Sequence, residues 1–222
     1  AAKIVSEMDS DDAVDVLEEM DATTKHKIVG MLDKEASDDV RLLFSYDDDE
    51  IGSRMTTNFI MIHNHLTIRQ AMRELVEQAG ENDNISTIYV IDEEDKFYGA
   101  IDLKDLIIAR EYTDLEDIIS HSYPYVMDHE KVSDCIDKIR DYAEDSIPVL
   151  QENGTIAGII TSQDIVEAVD DEMGEDYAKL AGLTAEEDLN EKLTESVKKR
   201  LPWLVILLFL GMVVSSVVGA FE

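Results

Sequence analysis

A dense run of acidic residues lies shortly before the most apolar stretch of the chain. Its members are Asp164, Glu167, Asp170, Asp171, Glu172, Glu175 and Asp176. They fall within roughly three turns of a predicted helix, so several of them share one face. Carboxylate oxygen is the ligand that hard divalent cations prefer, and Mg2+ commonly bridges one or two carboxylates while it keeps several waters. The run therefore predicts a divalent-cation site, with a solvated acidic helix as the alternative.

A second pair of carboxylates lies near the start of the chain. Asp11 and Asp15 are four residues apart in a predicted helix, which places both on one face. Like charges at this spacing destabilise a helix by roughly 0.2–0.5 kcal/mol unless a cation lies between them. The pair fits either one half of a metal site or a solvated acidic face.

The charge balance of the whole chain favours cations as partners. Its 222 residues include 19 Lys and Arg against 51 Asp and Glu, which gives a formal net charge of −32. Such a charge repels nucleic acid and opposes compaction unless counter-charge is bound. The 45% content of hydrophobic residues argues against disorder, and the single cysteine, Cys135, excludes an internal disulfide. We expect a folded protein that binds cations and no nucleic acid.

The apolar stretch that follows the acidic run covers residues 201–221 and contains no charged side chain. A helix of this length crosses a bilayer core of about 30 Å. Lys198, Lys199 and Arg200 come directly before it, as the positive-inside rule expects of a cytoplasmic flank. We predict a transmembrane helix with residues 1–200 in the cytoplasm; a buried helix of a soluble protein is the alternative. One span cannot form a conducting pathway by itself, so such a pathway would need oligomerisation or sequence beyond Glu222, and we expect the chain to be a fragment of a longer protein.

Two kinds of element precede the predicted span. Residues 1–54 carry apolar side chains at three- and four-residue spacing, which predicts a domain of short helices. Residues 89–109 and 148–168 align without a gap as strand, turn, second strand with Gly99 or Gly158, and helix. A further helix precedes each copy, and the first copy has the longer loop, AGENDNIST. Two such units that bury their sheets against each other predict an α+β fold.

The repeats resemble a tandem pair of CBS domains, with GAIDLKD and GIITSQD at the second strand and the helix start. The resemblance implies a cleft between the repeats that takes adenine nucleotides such as ATP. Thr161 and Asp164 of the second copy match the nucleotide-binding pattern, whereas the first copy has Asp102 in place of the usual hydroxyl residue. The alternative is that Asp105 and Asp164 only stabilise helix N-termini.

The chain as a whole resembles the MgtE family of bacterial magnesium channels. The stretches that carry this resemblance are DEIGSRMT, TSQDIVEAVDDEMGEDYAKLAG and RLPWLVILLFLGMVVSSVVGAFE. The implied organisation is a short helical N domain (1–54), two CBS domains (55–117 and 118–178), a connecting plug helix (179–200) and a first transmembrane helix (201–221).

The resemblance also implies a function and a set of ligands. Members are homodimeric channels of the bacterial inner membrane, and Mg2+ closes them when cytosolic Mg2+ is plentiful. We therefore expect Mg2+, a second copy of the chain and the bilayer around residues 201–221 as partners, with Mn2+ or Ca2+ able to occupy the same sites. The implied sensing acids are Asp11, Asp15, Asp164, Glu167, Glu172, Glu175 and Asp176.

Two other classes of protein compete with this interpretation. A nucleotide-sensing CBS module could regulate some other membrane transporter, although CorC-type exporters place their membrane part before the CBS pair and here the apolar stretch follows it. A metal-dependent enzyme would need catalytic residues, and the sequence has no Gly-rich phosphate loop, nucleophile elbow or HExxH motif. We expect no enzymatic activity.

Overall fold

The computed structural model describes residues 2–6, 8–80, 82–135, 144–169, 201–202, 204–214 and 216. The chain divides into two compact units, Ala1–Ala168 and Val169–Glu222. The predicted plug helix lies outside the described residues, as do three of the predicted sensing acids, Glu172, Glu175 and Asp176.

The N-terminal part of the first unit is helical, as its apolar spacing predicts. Its helices are α1 (Ala2–Val5), α2 (Ser10–Glu18), α3 (Ala22–Val29) and α4 (Lys34–Leu43). Helices α2 and α4 pack on each other and bury Val14, Leu17, Val40 and Leu43. Helix α4 begins at Asp33, whose carboxylate accepts the backbone N–H of Ala36 at 2.9 Å. Such caps stabilise helices that are too short to persist alone.

The remainder of the first unit consists of two three-stranded sheets of the same design. The first repeat comprises β1 (Ile60–His63), α5 (Ile68–Gln78), β2 (Thr87–Ile91), β3 (Phe97–Asp102) and α6 (Leu103–Ile108). The second comprises β4 (Val126–Met127), β5 (Ser146–Leu150) and β6 (Ile156–Thr161), followed by helical residues 162–169. In each sheet the central strand pairs in parallel with the first and antiparallel with the third.

The strand register confirms the internal repeat and the α+β fold. Thr87 pairs with Asp102 in the first sheet, and Ser146 pairs with Thr161 in the second. Both central strands shift register at the same place, directly after the valine of that strand. Equivalent pairs and an equivalent irregularity show that the two copies have the same backbone geometry.

The two repeats exchange their leading segments. Thr56, which precedes β1, exchanges both backbone hydrogen bonds with Ile159 on β6, at 2.8 and 2.9 Å. Ser120, which precedes β4, does the same with Ala100 on β3, at 3.1 and 2.8 Å. Each repeat therefore extends the sheet of the other.

The glycines of the repeat make this exchange possible. A Cβ atom on Gly99 would lie 2.6 Å from Cγ2 of Ile119, and one on Gly158 would lie 2.8 Å from both Cγ of Met55 and the carbonyl oxygen of Thr56. Such distances are shorter than van der Waals contact, so only glycine allows the exchanged segment to approach.

An aromatic cluster joins the two sheets. Tyr89 on β2 is fully buried against Phe59 and Ile159. Its hydroxyl lies 2.7 Å from Oγ of Ser146 at the start of β5. This contact supplies a hydrogen-bond partner for each of two buried hydroxyl groups.

Among the residues that the structure describes, no helix is long and apolar enough to cross a membrane. The predicted transmembrane helix is therefore not confirmed. Trp203, Ser215 and residues 217–221 of that stretch lie outside the described residues, and the rest of it is helical.

Candidate functional site

Two aspartates from distant parts of the chain interact electrostatically where the N domain meets the second CBS domain. Asp11 lies in the first turn of α2, and Asp164 lies in the first turn of the helix that follows β6. Both are half-buried. Oδ1 of Asp11 is buried and has no hydrogen-bond partner within the described part of the chain. A buried carboxylate oxygen without a donor is costly, so this pair calls for a proton or a cation.

The electrostatics of the pair favour a bound positive charge. The pKa of Asp11 is raised to about 7, mainly by burial and next by the charge of Asp164. Burial also raises the pKa of Asp164, although the backbone N–H of Thr161 donates to its Oδ2 at 2.7 Å and partly offsets this. Because Asp164 has this donor and Oδ1 of Asp11 has none, a proton shared by the pair resides on Asp11.

Two further acids surround the pair. Glu167 and Asp12 are exposed. Burial is the main reason that the pKa of Asp164 is raised, and the charges of these two acids raise it further. Asp15 is exposed further along α2, and its charge contributes to the raised pKa of Glu18, which burial raises first. The structure therefore brings Asp11 and Asp164 together, with Glu167 at the edge of the pair. The charge of Asp15 contributes instead to the raised pKa of Glu18.

Within the described residues, no three Asp, Glu, His or Cys side chains are close enough together to hold a metal ion. The Asp11–Asp164 pair by itself offers two carboxylates. That is a set Mg2+ can accept, because Mg2+ keeps several waters and uses one or two carboxylates.

The two residues predicted to bind nucleotide have other contacts here. The N–H of Thr161 donates to the carboxylate of Asp164, and the N–H of Asp164 donates back to Oγ1 of Thr161 at 3.3 Å. This reciprocal cap closes the start of the helix. Since the same carboxylate lies against Asp11, the arrangement connects the CBS motif to the N domain.

The N domain is anchored to the second CBS domain beside this site. The hydroxyl of Tyr46, just after α4, donates to Oδ2 of the buried Asp128 at 3.1 Å. Gly52 lies beneath the Tyr46 ring, where a Cβ atom would be 2.6 Å from ring carbons. Near the surface, Nδ1 of His129 and Oε1 of Glu50 are 2.9 Å apart. The sequence alone did not indicate this anchor, because its partners are about 80 residues apart.

A polar junction holds the start of α2. Oγ of the buried Ser10 accepts the N–H of Thr57 at 2.9 Å and lies 3.5 Å from Oγ1 of Thr56. The side chain of Asn58 donates to Oδ1 of Asp9. Asp9 is the N-cap residue of α2, yet its side chain makes no cap hydrogen bond. Sequence reasoning missed this junction as well.

Comparison with known proteins gives the same organisation. Residues 1–49 match the family model of the MgtE intracellular N domain, and residues 49–112 and 115–171 match that of the CBS domain. A magnesium transporter MgtE of Enterococcus faecalis is 37% identical over 188 residues, which cover 85% of this chain and 41% of the relative. The chain spans less than half the length of the curated MgtE relatives that it matches, between 41% and 49%.

Two solved structures resemble the chain in fold. The soluble part of a magnesium transporter has a TM-score of 0.73 and 34% sequence identity, and the match covers 77% of this chain and 67% of that one. The cytosolic domain of the Mg2+ channel MgtE in complex with ATP has a TM-score of 0.70 and 28% identity, with coverages of 75% and 68%. The order of domains, the internal repeat and the N domain all agree, and the chain belongs to the MgtE family.

Proposed function

We propose that this chain is the Mg2+-sensing cytosolic part of a bacterial magnesium channel, and that Mg2+ bound between the N domain and the second CBS domain closes the pore. One observation carries the proposal: Oδ1 of Asp11 is buried without a hydrogen-bond partner among the described residues, and the charge of Asp164 from the other domain acts on the same carboxyl group. A divalent cation bound there would replace the repulsion between the two carboxylates by the attraction of each carboxylate to the cation.

The energies involved are sufficient for a switch. Two carboxylates about 5 Å apart repel by roughly 3 kcal/mol at an effective dielectric constant near 20. Reversing a two-state population from about 1:99 to 99:1 takes about 5.5 kcal/mol of differential binding. Two or three divalent ions that bind the closed state better would supply this, and they would offset the repulsion between the domains that a net charge of −32 produces.

The remaining acids extend the same proposal. Glu167, Asp15, Glu172, Glu175 and Asp176 would add further Mg2+ contacts along the path from the CBS pair to the plug helix. In a homodimer, movement of residues 179–200 would then open or close the pore beside the membrane helix at 201–221. Mn2+ and Ca2+ would compete for the same carboxylates, since all three are oxygen-seeking cations.

Calorimetric titration of the intact chain with Mg2+ tests the proposal. Asp164→Asn should weaken binding, because it removes a charged ligand of the pair. The internal repeat supplies a matched control in Asp105→Asn, since Asp105 occupies the equivalent place in the first turn of α6. Equal Mg2+ affinities for both variants and the wild type would refute the role of Asp164.

The double variant Asp164→Ala with Glu167→Ala tests closure itself. Millimolar Mg2+ should protect the wild-type chain from proteolysis, and the double variant should lose much of that protection while its CBS fold persists. In the full-length channel, the same change should leave conduction on at Mg2+ levels that normally stop it. Equal protection of both proteins would indicate that the acidic run is a solvated helix face and not a cation site.

Nucleotide binding is the second candidate function. It is favoured by the solved relative, whose cytosolic domain was obtained in complex with ATP. In this chain the cleft between the CBS repeats, near Thr161 and Asp164, would take the adenine nucleotide. Titration with ATP in the absence of Mg2+ separates this function from metal sensing.

A further inference from the structure

The long loop between α5 and β2 of the first repeat contacts the segment that connects the N domain to β1. Asn58, in the segment that connects the N domain to β1, makes contacts in two directions. Its side-chain Oδ1 accepts the backbone N–H of Asp83 at 2.8 Å, and its backbone carbonyl accepts Nδ2 of Asn84 at 2.9 Å. Both donors belong to the long loop.

The other end of the Asn58 carboxamide reaches the N domain. Its Nδ2 donates to Oδ1 of Asp9, the residue directly before α2. Asp9 therefore uses its carboxylate to bind the connecting segment and makes no cap bond within its own helix. A hydrogen bond to a charged acceptor is roughly twice as strong as one between neutral groups.

The same connecting segment, residues 56–58, bonds both to the start of the helix that carries Asp11 and to the strand that precedes Asp164. Ser10 at the start of α2 bonds to Thr57, and Thr56 pairs with Ile159 on β6. Strand β6 continues directly into the helix that carries Asp164. The first turn of α2 and the first turn of that helix are thus both fixed to residues 56–58.

We propose that Asn58 is a positioning residue: it holds the first turn of α2 against Asp164 and thereby sets the Mg2+ concentration at which the N domain closes. This inference rests on the proposed function. The effect of Asn58 passes through Asp9 to the placement of Asp11, two residues along the chain. Loss of the bond should let the start of α2 move away from Asp164, so that Mg2+ must first restore the contact.

Hydrogen exchange of the intact chain, followed by mass spectrometry over a Mg2+ titration, measures this effect. Asn58→Ala and Asn58→Asp should each raise the Mg2+ midpoint for protection of α2 by roughly tenfold, as expected for one lost bond to a charged group. Asn153→Ala is the control, because Oδ1 of Asn153 accepts the backbone N–H and the hydroxyl of Thr155 in its own turn. Its midpoint should equal that of the wild type.

A charge swap separates positioning from general damage. In Asp9→Asn combined with Asn58→Asp, the amide at position 9 would donate to the carboxylate at position 58, which still accepts the N–H of Asp83. The net charge is unchanged, and the midpoint should return to within about twofold of the wild type. A merely structural role, or a general charge effect, would not be rescued in this way.

The outcomes are distinct from those of the proposed function. A wild-type midpoint in both single variants overturns the role of Asn58, as does a shift that the swap fails to rescue, even where Mg2+ still protects α2. If Mg2+ protects no amide in the wild type, the sensing proposal fails instead. The positioning role of Asn58 is then tested by hydrogen exchange without Mg2+. Asn58→Ala should still speed exchange in α2, and an unchanged rate would overturn the positioning role.

Discussion

The hydroxyl of Tyr46 donates a hydrogen bond to the carboxylate of Asp128, a residue 82 positions further along the chain that is only 4% exposed. This contact fastens the end of the N domain's last helix to the strand-to-helix turn of the second CBS domain. Asp128 also accepts the backbone N–H of His129 at 3.0 Å, so Tyr46 satisfies the second oxygen of the same buried carboxylate. The N domain is therefore held at this anchor and at the junction around Asn58.

Removal of the Tyr46 hydroxyl should measurably destabilise the chain. Tyr46→Phe keeps the ring over Gly52 and leaves one oxygen of buried Asp128 without its donor. We expect a loss of about 1–3 kcal/mol in the free energy of unfolding by urea. Tyr112→Phe is the matched control, since Tyr112 is 89% exposed and its change should fall within about 0.5 kcal/mol. Equal effects in the two variants would show that the anchor contributes nothing.

The exchange of leading segments predicts which glycine can be replaced. Gly158→Ala puts a methyl group against the backbone oxygen of Thr56, 2.8 Å away, and this oxygen cannot move without breaking the pairing with Ile159. We expect a loss of about 1–3 kcal/mol, the usual cost of overpacking. At Gly80 the nearest atom is 3.9 Å away, so Gly80→Ala should be tolerated. Thermal unfolding of both variants decides the matter; a tolerated Gly158→Ala would contradict the exchanged geometry.

Asp11 gives the chain a pH dependence of defined sign. Its pKa is about 7 in the folded chain against an ordinary value of 3.8, so the folded state holds a proton that the unfolded state releases in that window. Stability should therefore fall as pH rises from about 4 to 7 and stay level above it. Burial contributes most to the raised pKa of Asp11, followed by the charge of Asp164 and then those of Asp12 and Asp9.

Melting temperatures measured without divalent cations test this dependence. Because many other carboxylates titrate in the same chain, the informative quantity is the difference between the wild type and Asp11→Asn at each pH. The variant should be the more stable at about pH 8, and the difference should shrink as pH falls toward 5. Asp117→Asn, a change at an exposed acid that does not contribute to the raised pKa of Asp11, should follow the wild type. A difference independent of pH would exclude Asp11 as the titrating group.

Much of the fold follows from local patterns. The three- and four-residue apolar spacing predicts the N-domain helices, and the gapless alignment of residues 89–109 with 148–168 predicts two equivalent sheets. The structure confirms both, down to the matched pairs Thr87–Asp102 and Ser146–Thr161. That Asp11 and Asp164 belong to one metal site stays a prediction, and their separation in sequence gave no indication that they would interact.

What the sequence by itself determined is therefore what periodicity, repetition and composition can encode: helices, a doubled sheet unit and an excess of acidic residues. Only the tertiary structure decided which acids meet. Asp15 shares a helix face with Asp11 but acts toward Glu18, and Asp164, which its motif assigns to a nucleotide, is capped by Thr161 and lies against the N domain. The physical reason is that hydrogen bonds and burial depend on the packing of segments far apart in sequence. The contacts of Tyr46 with Asp128 and of Asn58 with Asp9 exist only once that packing has formed.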